Sequence, residues 1–320
     1  MSIPTPRSAR PRNGSARRNR RRRFLPSLGS IVMLAIGLGL IVCLLLAAQS
    51  LRSWFDTWNR AGAAHPTLVS LPGTTDEVSA PAPVSLDMTG FDAAHIIDDE
   101  VFYNSQTMSE QEVSAFITQV NAGCVPGRDG TPCLAQVMVD TEDREPSITC
   151  PGGYAGAQGE SAATIIHKVA AACDINPQVL LVLLQKEQGL LTASGRALTA
   201  TDYASATGYA CPDGGSCDPS FVGLFRQLYG AASQFQRYRL NPGNYQVVAG
   251  RPVELAYSPQ ATCGHAPLQV VNQATAGLYA YTPFQPNPAA ASGGDDCTSW
   301  GNWNFYGYFR TWFGDPTPST

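Results

Sequence analysis

The chain has 320 residues, of which 44% are hydrophobic and 14% are charged, and its formal net charge is −4 at pH 7. Nine of the 21 basic residues are arginines between Arg7 and Arg23, whereas no acidic residue precedes Asp56. The chain after these arginines therefore carries twelve basic residues against 25 acidic ones, a net charge of about −13 that excludes nucleic acid as its partner.

A nearly uninterrupted apolar run follows the arginines and has the length of a membrane span. Basic residues mark the cytoplasmic side of a span. We therefore predict a basic cytoplasmic tail at residues 1–27, a transmembrane helix at 28–48, and an extracytoplasmic chain after Arg52. A cleaved signal peptide is the alternative, but its apolar core is shorter, about 7–15 residues. The cytoplasmic membrane is thus one predicted partner, and the arginines would add affinity for anionic lipid.

Residues 49–90 are predicted to form a flexible spacer. From Ala61 to Gly90 the sequence is rich in Ala, Pro, Ser, Thr and Gly and has no helical period. A flexible chain of this length spans about 30 Å on average, and a largely extended one spans up to about 90 Å. The spacer would hold a folded domain away from the membrane.

Eight of the nine cysteines follow the spacer, and an even number in an exported chain predicts four disulfides. The sequence leaves the pairing open; we expect neighbours to pair in order, because the first pair and the third pair would close short loops. A zinc site is disfavoured, since no C-x-x-C occurs and the four histidines are scattered. No metal or other cofactor is expected. The cysteines are Cys124, Cys133, Cys150, Cys173, Cys211, Cys217, Cys263 and Cys297.

The folded part is predicted to begin with a small disulfide-tied region, residues 91–159, packed on the main domain. Ser109 and Glu112 fit a capping box, with a hydrophobic staple from Met108 to Val113, so a helix is expected there. Residues 123–159 contain cysteines and many turn residues, which indicates loops. From Ser161 the apolar residues again keep helical spacing. The preceding acid, Glu160, is expected to cap that helix, with a catalytic role as the alternative.

The next helix is predicted from the run NPQVLLVLLQKEQGLL. Asn176 is a good N-cap, Pro177 suits the first helical position, and Gly189 suits a left-handed C-cap. Six consecutive apolar residues leave little of the helix surface for water, so the helix is predicted to be internal.

This arrangement puts Glu187 in the last helical turn. The negative end of the helix dipole and the nearby apolar surface both favour the protonated form of a carboxyl group there. A general acid needs such a proton. The alternative is a structural acid at a helix end that pairs with a basic residue such as Lys186.

The run ESAATIIHKVAAACDINPQVLLVLLQKEQGLL, residues 160–191, resembles the opening of the lysozyme-like lytic transglycosylases. In that family a small-residue helix and a loop with Asn or Asp and Pro precede an apolar helix that ends in the catalytic Glu. The resemblance extends to Tyr281 and puts Glu187 on the catalytic position, where Gln188 replaces the usual Ser. It implies a mainly α, α+β lysozyme-like domain at residues 160–314, followed by a tail at 315–320.

Two later segments resemble the family by position. One is Thr207-Gly208-Tyr209, in the place of a Gly-containing segment that lines the floor of the cleft. The other is Ala280-Tyr281, in the place of a Tyr that points toward the catalytic Glu, so Tyr281 is expected to hydrogen-bond to the acid, with ordinary packing as the alternative. The resemblance implies substrate-binding roles for Gln188, Thr207, Gly208, Tyr209 and Tyr279.

The remaining elements are predicted from periodicity alone. The residues from Phe221 to Phe235 have the spacing of an amphipathic helix. Its polar face, including Gln227, is expected to face solvent, with contact to substrate as the alternative. Residues 239–269 show turn signals and short strand-like pieces, as in a hairpin. Aromatic residues between 305 and 312 recur at helical spacing and predict a final core helix, which leaves Trp300 and Trp303 as the better candidates for exposed, sugar-stacking rings.

The resemblance implies an activity that needs one carboxylate. Glu187 would protonate the glycosidic oxygen, the substrate's 2-acetamido group would stabilise the cation, and the same residue would act as base in forming a 1,6-anhydromuramoyl product. Peptidoglycan glycan strands are the predicted substrate. Asp202 is a candidate second carboxylate for a lysozyme-type hydrolase. Because a fold does not fix a function, the domain could also be a non-catalytic wall-binding or adhesion module, or a structural partner in a septal or secretion assembly. The sequence identifies no protein partner.

Overall fold

A computed structural model describes residue 81 and residues 83–212 and 215–318. The predicted cytoplasmic tail, the predicted span at 28–48 and most of the predicted spacer lie outside these residues. Within the described part of the chain, no helix combines the length and the apolar character that crossing a membrane requires.

The described residues are mainly helical and belong to one compact unit. The α-helices are α1 (Asp99–Phe102), α2 (Glu110–Val120), α3 (Ala162–Cys173), α4 (Pro177–Gln188), α5 (Ala200–Ala204), α6 (Leu224–Leu240), α7 (Gln273–Tyr281) and α8 (Gly301–Phe313). Short 3-10 helices occur at Gly195–Ala197, Pro219–Phe221, Pro242–Asn244, Ala261–Cys263 and Pro288–Ser292. The predicted mainly α class is confirmed.

Two short antiparallel strand pairs complete the fold. Strand β1 (Met138–Val139) pairs with β2 (Glu160–Ser161), with Val139 opposite Glu160. Strand β3 (Val253–Ala256) pairs with β4 (His265–Leu268) along four residues. The second pair is the hairpin predicted between the helices.

Helix α4 lies at the centre of the core and packs against α3 and α8. Every residue from Val179 to Leu184 has no solvent exposure. Both predicted caps are present, since the Asn176 side chain accepts a hydrogen bond from the backbone N–H of Gln178 and Gly189 has a φ of 65°. Each fully buried leucine or valine contributes about 1.5–3 kcal/mol. The prediction of an internal helix is therefore confirmed, and this helix is a major part of the hydrophobic core.

The predicted capping box at Ser109 is present, but the prediction that Glu160 caps α3 is wrong. Ser161 is the N-cap, because its short side chain reaches the N–H of Thr164 at 3.1 Å. The Glu160 carboxylate instead accepts hydrogen bonds from Lys168 at 2.5 Å and from Tyr154 at 2.6 Å. The Glu160 carboxylate therefore connects Tyr154, in the loop before β2, with Lys168 of α3.

Four disulfides join neighbouring cysteines in order, as expected: Cys124–Cys133, Cys150–Cys173, Cys211–Cys217 and Cys263–Cys297. Stable disulfides belong to oxidising compartments. The disulfide content therefore fits a protein whose folded part is extracytoplasmic.

The end of the predicted spacer is part of the fold. The Asp87 carboxylate pairs with Arg310 of α8 at 3.2 Å. Because Gly307 of α8 has no side chain, the segment that contains Met88 packs closely against this helix. A Cβ atom at Gly307 would lie 2.7 Å from Met88 Sδ. The predicted C-terminal tail is also docked at its start, since the carbonyl of Pro316 accepts a hydrogen bond from the N–H of Asp98 at 2.9 Å. The end of the predicted spacer and the start of the predicted tail thus both contact the folded domain.

Candidate functional site

Glu187 lies in the last turn of α4, where the buried helix reaches the surface. Its side chain is 24% exposed, whereas the preceding apolar turns of the helix are fully buried. The left-handed turn at Gly189 ends the helix immediately afterwards. The structure therefore holds a solvent-accessible carboxylate on a rigid support.

The backbone of Gly208 lies directly beside this carboxylate. Gly208 has a φ of 73°, and a Cβ atom there would be 3.4 Å from Glu187 Oε2. Because Gly208 has no side chain, the backbone of the loop at residues 207–209 lies directly against the carboxylate. The predicted neighbourhood of Glu187 and Gly208 is present, although the role of both in binding or catalysis stays a prediction.

A buried glutamine, Gln227 on α6, holds the loop in this position. Its Oε1 atom accepts hydrogen bonds from the backbone N–H groups of Thr207 at 3.2 Å and of Tyr209 at 3.0 Å. Its Nε2 atom donates to the carbonyl of Tyr209 at 2.8 Å. The expectation that Gln227 faces solvent is wrong, because its side chain is buried and its amide satisfies backbone groups of the loop at residues 207–209. The helical spacing of apolar residues in α6 does not predict such a contact.

Tyr281 also holds the loop rather than the acid. Its hydroxyl donates to the carbonyl of Thr207 at 2.7 Å, and its ring stacks on Phe235 with 4.9 Å between the centroids. Burial raises the pKa of the Tyr281 hydroxyl well above its ordinary value, and the nearby negative charge of Glu187 raises it further. The hydroxyl therefore stays protonated and acts as a donor. The expected hydrogen bond from Tyr281 to Glu187 is replaced by the bond to Thr207.

Lys186 supplies a positive charge next to Glu187. Its side chain is only 4% exposed, and its ammonium group contacts Glu187 Oε1 and donates to Thr282 Oγ1 at 2.8 Å. The ammonium nitrogen also lies 5.7 Å from the centroid of the Tyr281 ring. Gly301 makes room here, because a Cβ atom at that position would be 2.5 Å from Thr282 Cγ2. The ion pair considered from the sequence is thus present.

The other predicted site residues have structural partners. Gln188 donates to the carbonyl of Ser205 at 3.2 Å and so anchors the loop after α5. Asp202 forms the capping box of α5 and accepts a hydrogen bond from the N–H of Thr199 at 2.6 Å. Its carboxylate therefore caps α5, and its role as a second catalytic carboxylate stays a prediction.

Tyr279 is a further correction, because its side chain is buried and its hydroxyl donates to the carbonyl of Ala93 at 2.9 Å. The Tyr279 side chain lies on the buried face of α7 and therefore does not contact a substrate at the surface. In the described residues, no three side chains of the His, Cys, Asp or Glu type are grouped so that they could hold a metal ion.

Comparison of the chain with models of known families, with curated proteins and with solved structures finds no match in any of the three. The structure itself defines the class: a mainly helical, disulfide-bonded domain with one accessible carboxylate at the end of a buried helix. This carboxylate and its neighbours are therefore the candidate functional site.

Proposed function

We propose that this chain cleaves the glycan strands of peptidoglycan outside the cytoplasmic membrane, with Glu187 as the general acid and base. The observation that supports this proposal is the position of the Glu187 carboxylate, which is 24% exposed, lies in the last turn of a buried helix and faces the backbone of Gly208. A rigidly held and accessible acid is what proton transfer to a bound substrate requires.

The proposed reaction uses a single carboxylate. Glu187 gives its proton to the glycosidic oxygen, and the 2-acetamido group of the substrate stabilises the positive charge that forms at C1. The Glu187 carboxylate then takes the proton of the C6 hydroxyl, which closes the 1,6-anhydro ring. The Lys186 ammonium group balances the charge of the carboxylate between these two steps. Because the Asp202 carboxylate is engaged at the N-terminus of α5, the one-acid reaction is favoured over the two-carboxylate hydrolysis.

The test is digestion of isolated peptidoglycan by the full chain in mild detergent, with mass spectrometry of the released fragments. We expect 1,6-anhydromuropeptides, and we expect Glu187→Gln to lower their release by about 10²–10⁴-fold. Glu145→Gln is the matched control, since Glu145 is exposed. Release of reducing ends would instead indicate a muramidase. Undiminished release by Glu187→Gln would contradict a catalytic role for this residue.

A non-catalytic wall-binding module is the second candidate, and the contact between Lys186 and Glu187 is the observation that favours it. A carboxylate whose charge is balanced by a buried ammonium group is a common structural feature. This candidate predicts that the chain sediments with peptidoglycan without releasing fragments. It also predicts that Glu187→Gln changes only the stability of the domain.

A further inference from the structure

A second feature of the surface is a depression with a volume of about 320 Å³, within the range of small-molecule sites. Segments that are far apart in the sequence form its walls: the chain before α1, the β3–β4 hairpin, the segment after α7, and α8. The residues that give the depression its character are Phe91, Asp92, Tyr257, Pro286, Pro288 and Trp303.

Aromatic packing, hydrogen bonds and a disulfide hold the walls of this depression in place. The ring of Phe91 packs against that of Trp303 with 4.7 Å between the centroids. The side-chain amide of Gln285 donates to the carbonyls of Leu255 and Ala266 at 2.8 and 2.9 Å, which fixes the segment of the two prolines to the hairpin. The disulfide between Cys263 and Cys297 joins the same hairpin to the segment that precedes α8. The depression is therefore preformed.

The chemistry of the lining is aromatic with a few polar groups. Phe91, Tyr257 and Trp303 are all partly exposed. Over the described ranges, the Tyr257 hydroxyl and the Trp303 indole N–H have no hydrogen-bond partner in the protein. The Oδ1 atom of Asp92 accepts a bond from the N–H of Ala94 at 2.8 Å, and its second oxygen is available. Asp92 carries the only charge among the residues that line the depression, so an anionic ligand is disfavoured.

We propose that this depression binds a neutral sugar ring of the N-acetylhexosamine type. A pyranose has one face of C–H groups, which stacks on an aromatic ring, and an edge of hydroxyl groups, which needs both donors and acceptors. The lining offers both kinds of contact: aromatic faces for the C–H groups, and an indole N–H, a phenol and a carboxylate for the hydroxyls. The same lining lacks the basic groups that a phosphate or a nucleotide requires.

The site is separate from the Glu187 carboxylate. Gly301, the first residue of α8, lies against Thr282 and the Lys186 side chain. Trp303 is two residues further along the helix, which corresponds to a rotation of about 200°. The two residues therefore face nearly opposite sides of α8. The proposed sugar site does not depend on Glu187 being catalytic.

The test is isothermal titration of the full chain in detergent with tri-N-acetylchitotriose up to millimolar concentrations. We expect saturable binding that weakens about tenfold in Trp303→Ala, because one stacking face is lost. Trp312→Ala is the matched control, since Trp312 is partly exposed, packs against Phe116 and does not line the depression. Glu187→Gln should bind like the unchanged chain.

Asp92→Asn provides a test that does not disturb packing, because Asp92 is exposed. It removes a charge-assisted hydrogen bond and should weaken binding about fivefold. The proposal is overturned if the chain shows no saturable binding, or if Trp303→Ala and Asp92→Asn both bind like the unchanged chain. Tighter, Trp303-dependent binding of decaproline, a polyproline ligand of aromatic grooves, would overturn it as well. Sugar binding without fragment release from peptidoglycan would overturn only the proposed enzymatic function.

Discussion

Replacing Lys186 by Met removes the ammonium group beside Glu187 and keeps a side chain of similar length in the core. The Lys186 side chain is 4% exposed and the Glu187 side chain is 24% exposed. In Lys186→Met the carboxylate loses its partner, and Thr282 loses a donor at 2.8 Å. We expect the free energy of unfolding to fall.

The size of this effect follows from the exposure of the two groups. Removing one partner of a fully buried ion pair costs about 3–5 kcal/mol. An exposed pair contributes about 0–1 kcal/mol. The Glu187 carboxylate keeps part of its access to water, which compensates some of the loss. We therefore expect Lys186→Met to destabilise the domain by about 1–3 kcal/mol.

The assay is urea unfolding of the domain with its disulfides intact, in a double-mutant cycle of Lys186→Met and Glu187→Gln. Because Glu187→Gln already removes the ion pair, Lys186→Met should cost less in that background, with a coupling of about 1–2 kcal/mol. Arg251→Met is the control, since Arg251 is exposed and forms no ion pair with the described residues, and its effect should stay within about 0.5 kcal/mol. If the two changes add within about 0.5 kcal/mol, the inferred ion pair does not stabilise the fold.

Three further changes test the surroundings of the site and the loops. Gly208→Ala should lower the free energy of unfolding by about 1–2 kcal/mol, because a φ of 73° is strained for alanine, whereas Gly243→Ala, at a position with open space, should not. Burial raises the pKa of Glu160, but hydrogen bonds outweigh this effect and the pKa lies below its ordinary value. Its stabilising contribution is therefore present above about pH 4.5 and is lost as the pH falls through the folded-state pKa, so Glu160→Gln should flatten the acid side of a plot of Tm against pH. Replacing Cys150 and Cys173 by serine should cost about 3 kcal/mol in urea unfolding, because their disulfide closes a loop of 23 residues; an unchanged midpoint would contradict this.

Local signals were sufficient for the main helices of this protein. Asn176, Pro177 and Gly189 cap α4 through groups within a few residues of each helix end, so the sequence predicted both ends and the buried character of the helix. The order of the disulfides and the β3–β4 hairpin also involve segments that are near each other along the chain.

The surroundings of Glu187 were decided by contacts between distant segments. Helical spacing indicates which face of α6 or α7 is apolar, but it does not reveal which backbone group a polar side chain on that face will meet. Thus Gln227 is buried against the loop at Thr207, and Tyr281 donates to the same loop rather than to Glu187. The sequence alone therefore determined the helix that carries the acid, whereas the tertiary structure decided what lies beside the acid, because those neighbours depend on how α4, α6 and α7 pack together.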